Sequence, residues 1–171
     1  MAGKPRPAGI ASGITVTRND GFAELEPFGL DWPGLAPAGD GQDADEFADQ
    51  NVRDNDDGTS RLILVAAARS ADVLTAAGWD GAVNYIQPKS VLSCVLRSWE
   101  ERFGARVIEI GFDTLHLTVA APPVSPGHAE QVAAEHLAFC PDNIVAGMSR
   151  AIRDYAADHV LGKADWWFWW D

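Results

Sequence analysis

Five consecutive aromatic residues, Trp166-Trp167-Phe168-Trp169-Trp170, constrain the fold more than any other part of the sequence. Side chains alternate between the two faces of a β-strand, so a strand here places three of the rings on one face and two on the other. Trp166, Phe168 and Trp170 share the first face, and Trp167 and Trp169 share the second. Because large exposed apolar patches are rare on monomers, we predict that about three of these rings enter the core. The remaining rings are either packed as well or offered to a partner.

The pattern from residue 61 onward predicts one α+β domain with an antiparallel or mixed sheet and helices on one face. A short apolar run at 62–67 predicts a central strand. Proline at helix starts and glycine at helix ends delimit the helices. The order strand, helix, strand, strand, helix, strand matches a split βαβ, ferredoxin-like arrangement. The predicted elements are a strand over 62–67, a short helix over 71–77, a helix from Pro88 to about Phe103, a hairpin over 106–110 and 115–120, a helix from Pro126 to about Phe139, a further helix from Pro141 to Gly162, and the aromatic strand.

In the second strand of the hairpin, apolar residues alternate with His116 and Thr118. This alternation is typical of a strand with one buried face and one solvent face. We therefore expect His116 on the outward face of the sheet.

The first sixty residues differ from the rest of the chain in composition. Residues 1–13 are rich in Pro, Gly and Ala, which predicts a disordered tail. Residues 14–60 are interpreted as a hairpin around an Asp-Gly turn, an extended segment and an acidic stretch. That stretch, residues 40–57, holds eight acidic residues and is expected to form a solvated loop or a weakly ordered helix. The predicted α+β core domain covers residues 61–171.

The formal net charge of −12 over 171 residues restricts the classes of partner. Such a charge repels phosphate backbones and anionic membranes, so we expect neither nucleic acid nor membrane as a partner. A basic protein or a small molecule remains. Two cysteines are too few for a disulfide framework, and residues 1–13 lack a secretory pattern, so we expect a cytoplasmic protein. Heavy use of Ala, Gly, Asp and Arg is typical of a bacterial source with high genomic GC content.

A set of short motifs carries a family resemblance. Over roughly residues 62–171 the chain resembles the domain of unknown function 4253 family, and residues 32–37 look like an upstream segment of some members. The resemblance implies no particular activity. The chain has His136 and Ala146 where many members of that family have glutamine. The motifs are Trp99-Glu100-Glu101-Arg102-Phe103-Gly104-Ala105, Pro122-Pro123, Ala134-Glu135-His136, Phe139-Cys140-Pro141-Asp142, Gly147, Trp166, and Phe168-Trp169-Trp170-Asp171.

Cys140 is the first candidate for chemistry, because it precedes Pro141 at a predicted helix start. The helix dipole there would lower the pKa of the thiol, and His136 four residues earlier could act as a base. Asp142 or Glu135 would supply an acid. The alternative is that Cys140 is a small buried residue at a corner between helices. Asp142 likewise has a structural explanation, since its carboxylate suits the first turn of a helix.

Metal binding is the second candidate. Four ligand types fall within eight residues, but a structural zinc site needs four ligands, commonly in paired spacings. No such pairs are present, and we expect neither a metal nor another cofactor. The grouped residues are Glu135, His136, Cys140 and Asp142, and the scattered ones are Cys94, His116, His128 and His159.

The sequence lacks a complete catalytic constellation, so the leading expectation is a non-enzymatic binding or protein-interaction domain that contacts a basic partner. The alternatives are a small cysteine-dependent hydrolase or transferase, and a structural subunit of a larger assembly. The sequence does not indicate the oligomeric state. The expected contact surface lies near the Cys140 corner and comprises Trp166, Trp167, Trp169, Trp170 and Asp171.

Overall fold

The computed structural model describes residues 25–55, 61–84, 86, 88–147 and 151–171. These residues form an α+β fold, as the sequence predicts. A 3-10 turn (Ser70–Asp72) precedes α2, and π-helical turns (Asn143–Gly147 and Ala156–Val160) flank α5. The regular elements are α1 (Ala44–Asn55), α2 (Val73–Ala76), α3 (Ser90–Phe103), β1 (Ala105–Ile110), β2 (Thr114–Val119), α4 (Pro126–Phe139), α5 (Ile152–Tyr155) and β3 (Asp165–Trp169).

The sheet has three strands in the order β1-β2-β3, and both pairings are antiparallel. In a ferredoxin-like sheet, the first strand of the order would lie beside β2 and antiparallel to it, and it would separate β2 from the last strand. Here β3 occupies that position, so the prediction of a ferredoxin-like order is wrong. The predicted central strand at 62–67 is also wrong, because this segment forms no strand and lies outside the sheet, with Leu62 and Leu64 fully exposed. The tail at 1–13 and nearly all of the predicted hairpin before residue 25 lie outside the described residues.

The inner face of the sheet is apolar in every cross-strand row. Val107, Leu117 and Trp166 form one row, and Leu115 and Phe168 are paired in the next. Helices α3 and α4 cover this face. Trp166, Phe168 and Trp170 are all buried, which confirms that three of the five terminal rings enter the core.

Trp99 of α3 lies at the centre of the core. It stacks on Phe168 with 5.5 Å between ring centroids and meets the edges of Trp166 and Phe139. Offset and edge-to-face contacts of this kind add to the stabilisation that burial provides. The core is therefore a cluster of aromatic rings held between β3 and two helices.

The outer face of the sheet carries polar residues. Arg106, Thr118 and Asp165 form one cross-strand row, and His116 lies between Glu109 and Trp167 in the next. His116 and Thr118 are nevertheless buried, whereas the sequence predicts a solvent face. Two features cover them. Helix α1 contacts β1 and β2 and places Asp45 on Arg106 at 2.7 Å, and Trp167 lies over His116. The expectation of helices on one face thus holds for α3 and α4 but not for α1.

Local signals place the helix ends close to the predicted positions. The acidic stretch contains α1, and the Asp43 carboxylate accepts hydrogen bonds from the N–H groups of Asp45 and Glu46 at its start. Gly104 ends α3 in a left-handed conformation, with φ of 60°. Gly78, after α2, has φ of 69°. None of the described helices is long and apolar enough to cross a bilayer.

We predict different costs for alanine at these two glycines. Gly78→Ala should lower the free energy of unfolding by about 1 kcal/mol, because a left-handed alanine is strained. At Gly104 an added Cβ would also lie 3.0 Å from the Ala44 Cβ and 3.1 Å from the Ala120 Cβ, whereas nothing lies within 4 Å at Gly78. Gly104→Ala should therefore cost about 2–4 kcal/mol. Denaturant unfolding of both variants measures the difference, and equal losses would contradict the packing argument.

Candidate functional site

The aromatic strand lies beside the corner that follows α4, and polar side chains of the corner pair with the strand's backbone. Asn143 donates from Nδ2 to the carbonyl of Trp167 at 2.6 Å and accepts from the Trp169 N–H at 3.3 Å. The Cys140 Sγ donates to the Trp169 carbonyl at 2.9 Å. These side chains occupy the hydrogen-bonding groups that an edge strand otherwise leaves open.

Asp142 continues this pairing at the end of the chain. Its Oδ2 atom accepts a hydrogen bond from the Asp171 N–H at 3.0 Å, and Asp142 is buried whereas Asp171 is exposed. Asp142 thus fastens the residue that follows the aromatic run to the corner. The sequence predicted a structural role for this carboxylate at the first turn of a helix, but it did not predict this contact with Asp171.

Cys140 is sealed inside the protein. Its side chain is fully buried, and burial raises the pKa of the thiol to about 12. This direction is opposite to the helix-dipole effect expected from the sequence, because desolvation disfavours the thiolate. The His136 ring bonds to Tyr155 instead of the thiol. The structure therefore places Cys140 and His136 near one corner without joining them as nucleophile and base.

His136 belongs to an internal chain of hydrogen bonds. Asn143 donates from Nδ2 to the Tyr155 hydroxyl at 3.0 Å, and that hydroxyl lies 3.2 Å from the His136 Nδ1. If the Tyr155 hydroxyl donates to Nδ1, the imidazole proton is on Nε2. The His136 ring lies edge-on to the Trp166 ring, with 4.6 Å between centroids. An N–H···π contact suits that edge-on arrangement. Full burial lowers the pKa of His136 to about 3, so the ring is neutral at physiological pH.

Glu135 is a buried carboxylate with four hydrogen-bond donors. Arg102 donates from Nη2 at 2.6 Å and from Nη1 at 2.9 Å. Trp99 donates its indole N–H at 2.8 Å, and the backbone N–H of Ala36 donates at 2.8 Å. The Arg102 guanidinium also donates to the Ala36 carbonyl. Glu135 therefore joins α3, α4 and the segment before α1, and it is not free to act as a catalytic acid.

The neighbouring acidic residues of α3 have a related role. Glu100 accepts from the Arg69 Nε and from the Ala71 N–H, both at 3.0 Å. Glu101 accepts from the same guanidinium at 3.1 Å. The Trp-Glu-Glu-Arg motif thus anchors the turn that precedes α2, in addition to the Ala36 segment.

The four grouped ligand types do not converge on one point. Glu135 binds Arg102, His136 binds Tyr155, and Asp142 binds the chain end. In the part of the chain that the structure describes, no group of three or more His, Cys, Asp or Glu side chains is arranged to hold a metal ion.

The outer face of the sheet offers a different candidate site, centred on Trp167. This ring is 48% exposed and stacks on His116 with 3.7 Å between centroids and 17° between planes. The His116 Nε2 lies 3.0 Å from the Asp165 Oδ1, and its Nδ1 lies 3.8 Å from the Glu109 Oε2. Burial lowers the pKa of His116 in spite of these two carboxylates. The stack holds Trp167 in place as a fixed, half-exposed aromatic surface.

A cleft of about 250 Å³ opens beside this ring, at the edge of β3 and the last helical turns. We name it the Trp167 cleft. Sequence alternation identified Trp167, and His159 was considered only as a scattered ligand type, whereas the other lining residues were missed. Asp165 and Trp167 are two residues apart on one strand, a spacing that does reveal a shared face. The lining residues are Tyr155, Asp158, His159, Lys163, Asp165 and Trp167.

Comparison with known proteins agrees with the motif resemblance. A family model described as a domain of unknown function (DUF4253) matches residues 61–171, which is more than half of the chain. No curated protein and no solved structure matches the chain. The matched range contains the sheet, α3, α4 and the Trp167 cleft.

Neutralising Glu135 should destabilise the protein strongly. Glu135→Gln leaves the largely buried Arg102 without its counter-charge, and breaking a buried pair in this way costs about 3–5 kcal/mol. Glu101→Gln serves as the control, because it removes the same charge from an exposed pair and should leave stability nearly unchanged. Urea unfolding measures both variants. Equal stability of Glu135→Gln and the wild type would refute the role given to this carboxylate.

The two cysteines should react with thiol reagents at very different rates. Cys94 is exposed and Cys140 is buried. We expect a maleimide at neutral pH to label one thiol of the native protein quickly, and the second only after unfolding. Cys94→Ser provides the control and should remove the fast reaction. Fast labelling of the folded Cys94→Ser variant would instead show an accessible, activated Cys140.

Proposed function

The chain belongs to the DUF4253 family, and because that description assigns no activity, we propose from the surface of the domain that it is a non-enzymatic binding module for a basic protein partner. The contact surface is the outer face of the sheet around Trp167. Both cysteines are free, which suits a reducing, cytoplasmic environment.

The half-exposed Trp167 ring is the observation that carries this proposal. Tryptophan is enriched among the residues that dominate binding energy at protein interfaces. Stacking on His116 restrains the ring before a partner arrives, so little side-chain entropy is lost on binding. Of the five terminal rings, Trp166, Phe168 and Trp170 are committed to the core. Of the remaining two, Trp167 is more exposed than Trp169.

The charges around Trp167 favour a basic partner. Asp165 precedes Trp167 by two residues on the outer face, Glu109 lies on the far side of His116 from the ring, and the side chains of both carboxylates are substantially exposed. Helix α1, which contacts β1 and β2, adds exposed carboxylates at Asp45 and Asp49. The net charge of −12 extends the attraction beyond contact distance and would speed the encounter with a cationic protein.

The alternative functions have less support. A cysteine-dependent hydrolase or transferase needs a reactive thiol, whereas Cys140 is buried and its pKa is raised. A subunit of a larger assembly has one observation in its favour, the exposed apolar segment that contains Leu62 and Leu64. We rank the binding module first, because its surface combines an aromatic ring with matching charge.

Titration with a basic peptide tests the proposal. A decapeptide of mixed lysine and arginine should bind the wild type, and salt should weaken the binding through screening. Trp167→Ala should weaken it about thirtyfold, as expected for an interface hot spot. Phe112→Ala is the matched control, since Phe112 is an aromatic residue that is 92% exposed at the β1–β2 turn. Isothermal titration calorimetry measures each affinity.

A second pair of variants separates the outer face from overall charge. Glu109→Gln and Glu101→Gln each remove one negative charge, but Glu101 belongs to α3, which covers the inner face. We expect only Glu109→Gln to weaken binding clearly. Equal effects of the two substitutions, or equal affinity for an acidic decapeptide, would be evidence against the proposed surface.

A further inference from the structure

We propose that the Trp167 cleft binds one arginine side chain of the basic partner, with the guanidinium stacked on the open face of Trp167 and hydrogen-bonded to Asp165. This inference rests on the proposed function and adds to it a specific residue type and a specific subsite.

The size of the cleft fits a single side chain. Pockets for drug-sized ligands and cofactors span about 300–1,000 Å³. The Trp167 cleft, at about 250 Å³, is smaller than that range. It lies at the edge of β3 beside the helical turn Ala156–Val160, so a side chain can enter from a partner that rests on the outer face.

Trp167 has one face free for stacking. His116 covers the other face, with a ring distance of 3.7 Å, and the ring remains 48% exposed. A cation over the face of an indole is attracted by the ring's quadrupole, and a guanidinium also stacks as a flat group. Tyr155 and His159, whose centroids lie 5.1 Å apart, add further aromatic lining.

Among the described residues, neither carboxylate of the cleft forms an ion pair with a lysine or arginine side chain. The Asp165 Oδ1 meets the His116 Nε2, and the Asp165 Oδ2 accepts no hydrogen bond from the described residues. Asp158 forms no ion pair within that same part of the chain. Lys163 lines the cleft but pairs with neither carboxylate. A cationic ligand can therefore bind these carboxylates without first breaking an ion pair to a lysine or arginine of the protein.

Arginine fits this arrangement better than lysine. Its planar fork can stack and donate hydrogen bonds from its edge simultaneously, whereas the ammonium of lysine is a compact and strongly hydrated point charge. Charge-assisted hydrogen bonds to Asp165 would add to the stacking energy. Lys163 carries the same sign as the ligand, so its charge opposes binding and its removal should help.

Calorimetry with two decapeptides of equal length and charge tests the inference. One peptide has arginine as its only basic residue, and the other has lysine. The wild type should bind the arginine peptide about five- to tenfold more tightly. Trp167→Ala should abolish this preference, and Asp165→Asn should weaken the arginine peptide more than the lysine peptide. Thermal unfolding of each variant checks that it remains folded.

A substitution that strengthens binding provides a further test, because misfolding of a variant would weaken binding and not strengthen it. Lys163→Gln should tighten the arginine peptide about two- to fivefold, because it removes a like charge from the cleft. Lys89→Gln is the matched control, since it removes the same charge at the start of α3. Equal gains from both variants would mean that overall charge, and not the cleft, sets the affinity.

The outcomes distinguish this inference from the proposed function. If the wild type binds both peptides equally and Trp167→Ala weakens both alike, the arginine subsite is wrong and the basic-partner module stands. An arginine preference that persists in a folded Trp167→Ala variant also overturns the subsite. If neither peptide binds the wild type, the proposed function fails, and the subsite fails with it.

Discussion

The buried ion pair between Glu135 and Arg102 is the interaction on which the rest of the structure depends. A carboxylate with 5% exposure is tolerable only when charge and hydrogen bonds are both satisfied, and this one has four donors. One of those donors is Trp99, whose ring is also the centre of the aromatic core. A single charged contact therefore fixes the distance between α3 and α4 and orients the ring against which the sheet packs.

The two faces of the sheet differ in role: the residues packed on the inner face stabilise the fold, whereas the outer face carries exposed side chains. The motif residues that carry the family resemblance have partners inside the fold: Glu135 pairs with Arg102, Cys140 donates to the backbone of β3, and His136 is enclosed by aromatic rings. Their side chains resemble catalytic groups in the sequence but serve packing and backbone pairing. The outer face differs, because there Trp167 is exposed among charged side chains.

Periodicity and helix-end residues were sufficient to predict α3, α4, the hairpin and the buried ring set of β3. They failed for residues 62–67, because a run that is apolar throughout does not show whether a strand will pair with it. The site was harder to predict for a related reason. His116 meets Asp165 and Trp167 only through strand register, and Glu135 finds Arg102 across 33 residues. The behaviour of Cys140 depended on burial, which local sequence does not report.

The pairing of Asn143 with β3 has a consequence for the exposed edge of the sheet. Five adjacent aromatic residues without an internal charge form the kind of segment that seeds cross-β stacking when its edge is open. The Asn143 amide occupies the carbonyl of Trp167 and the N–H of Trp169, and the Cys140 thiol occupies the carbonyl of Trp169. An incoming strand would have to displace buried side chains to add to this edge. The corner after α4 thus blocks strand addition at the edge where the aromatic run lies.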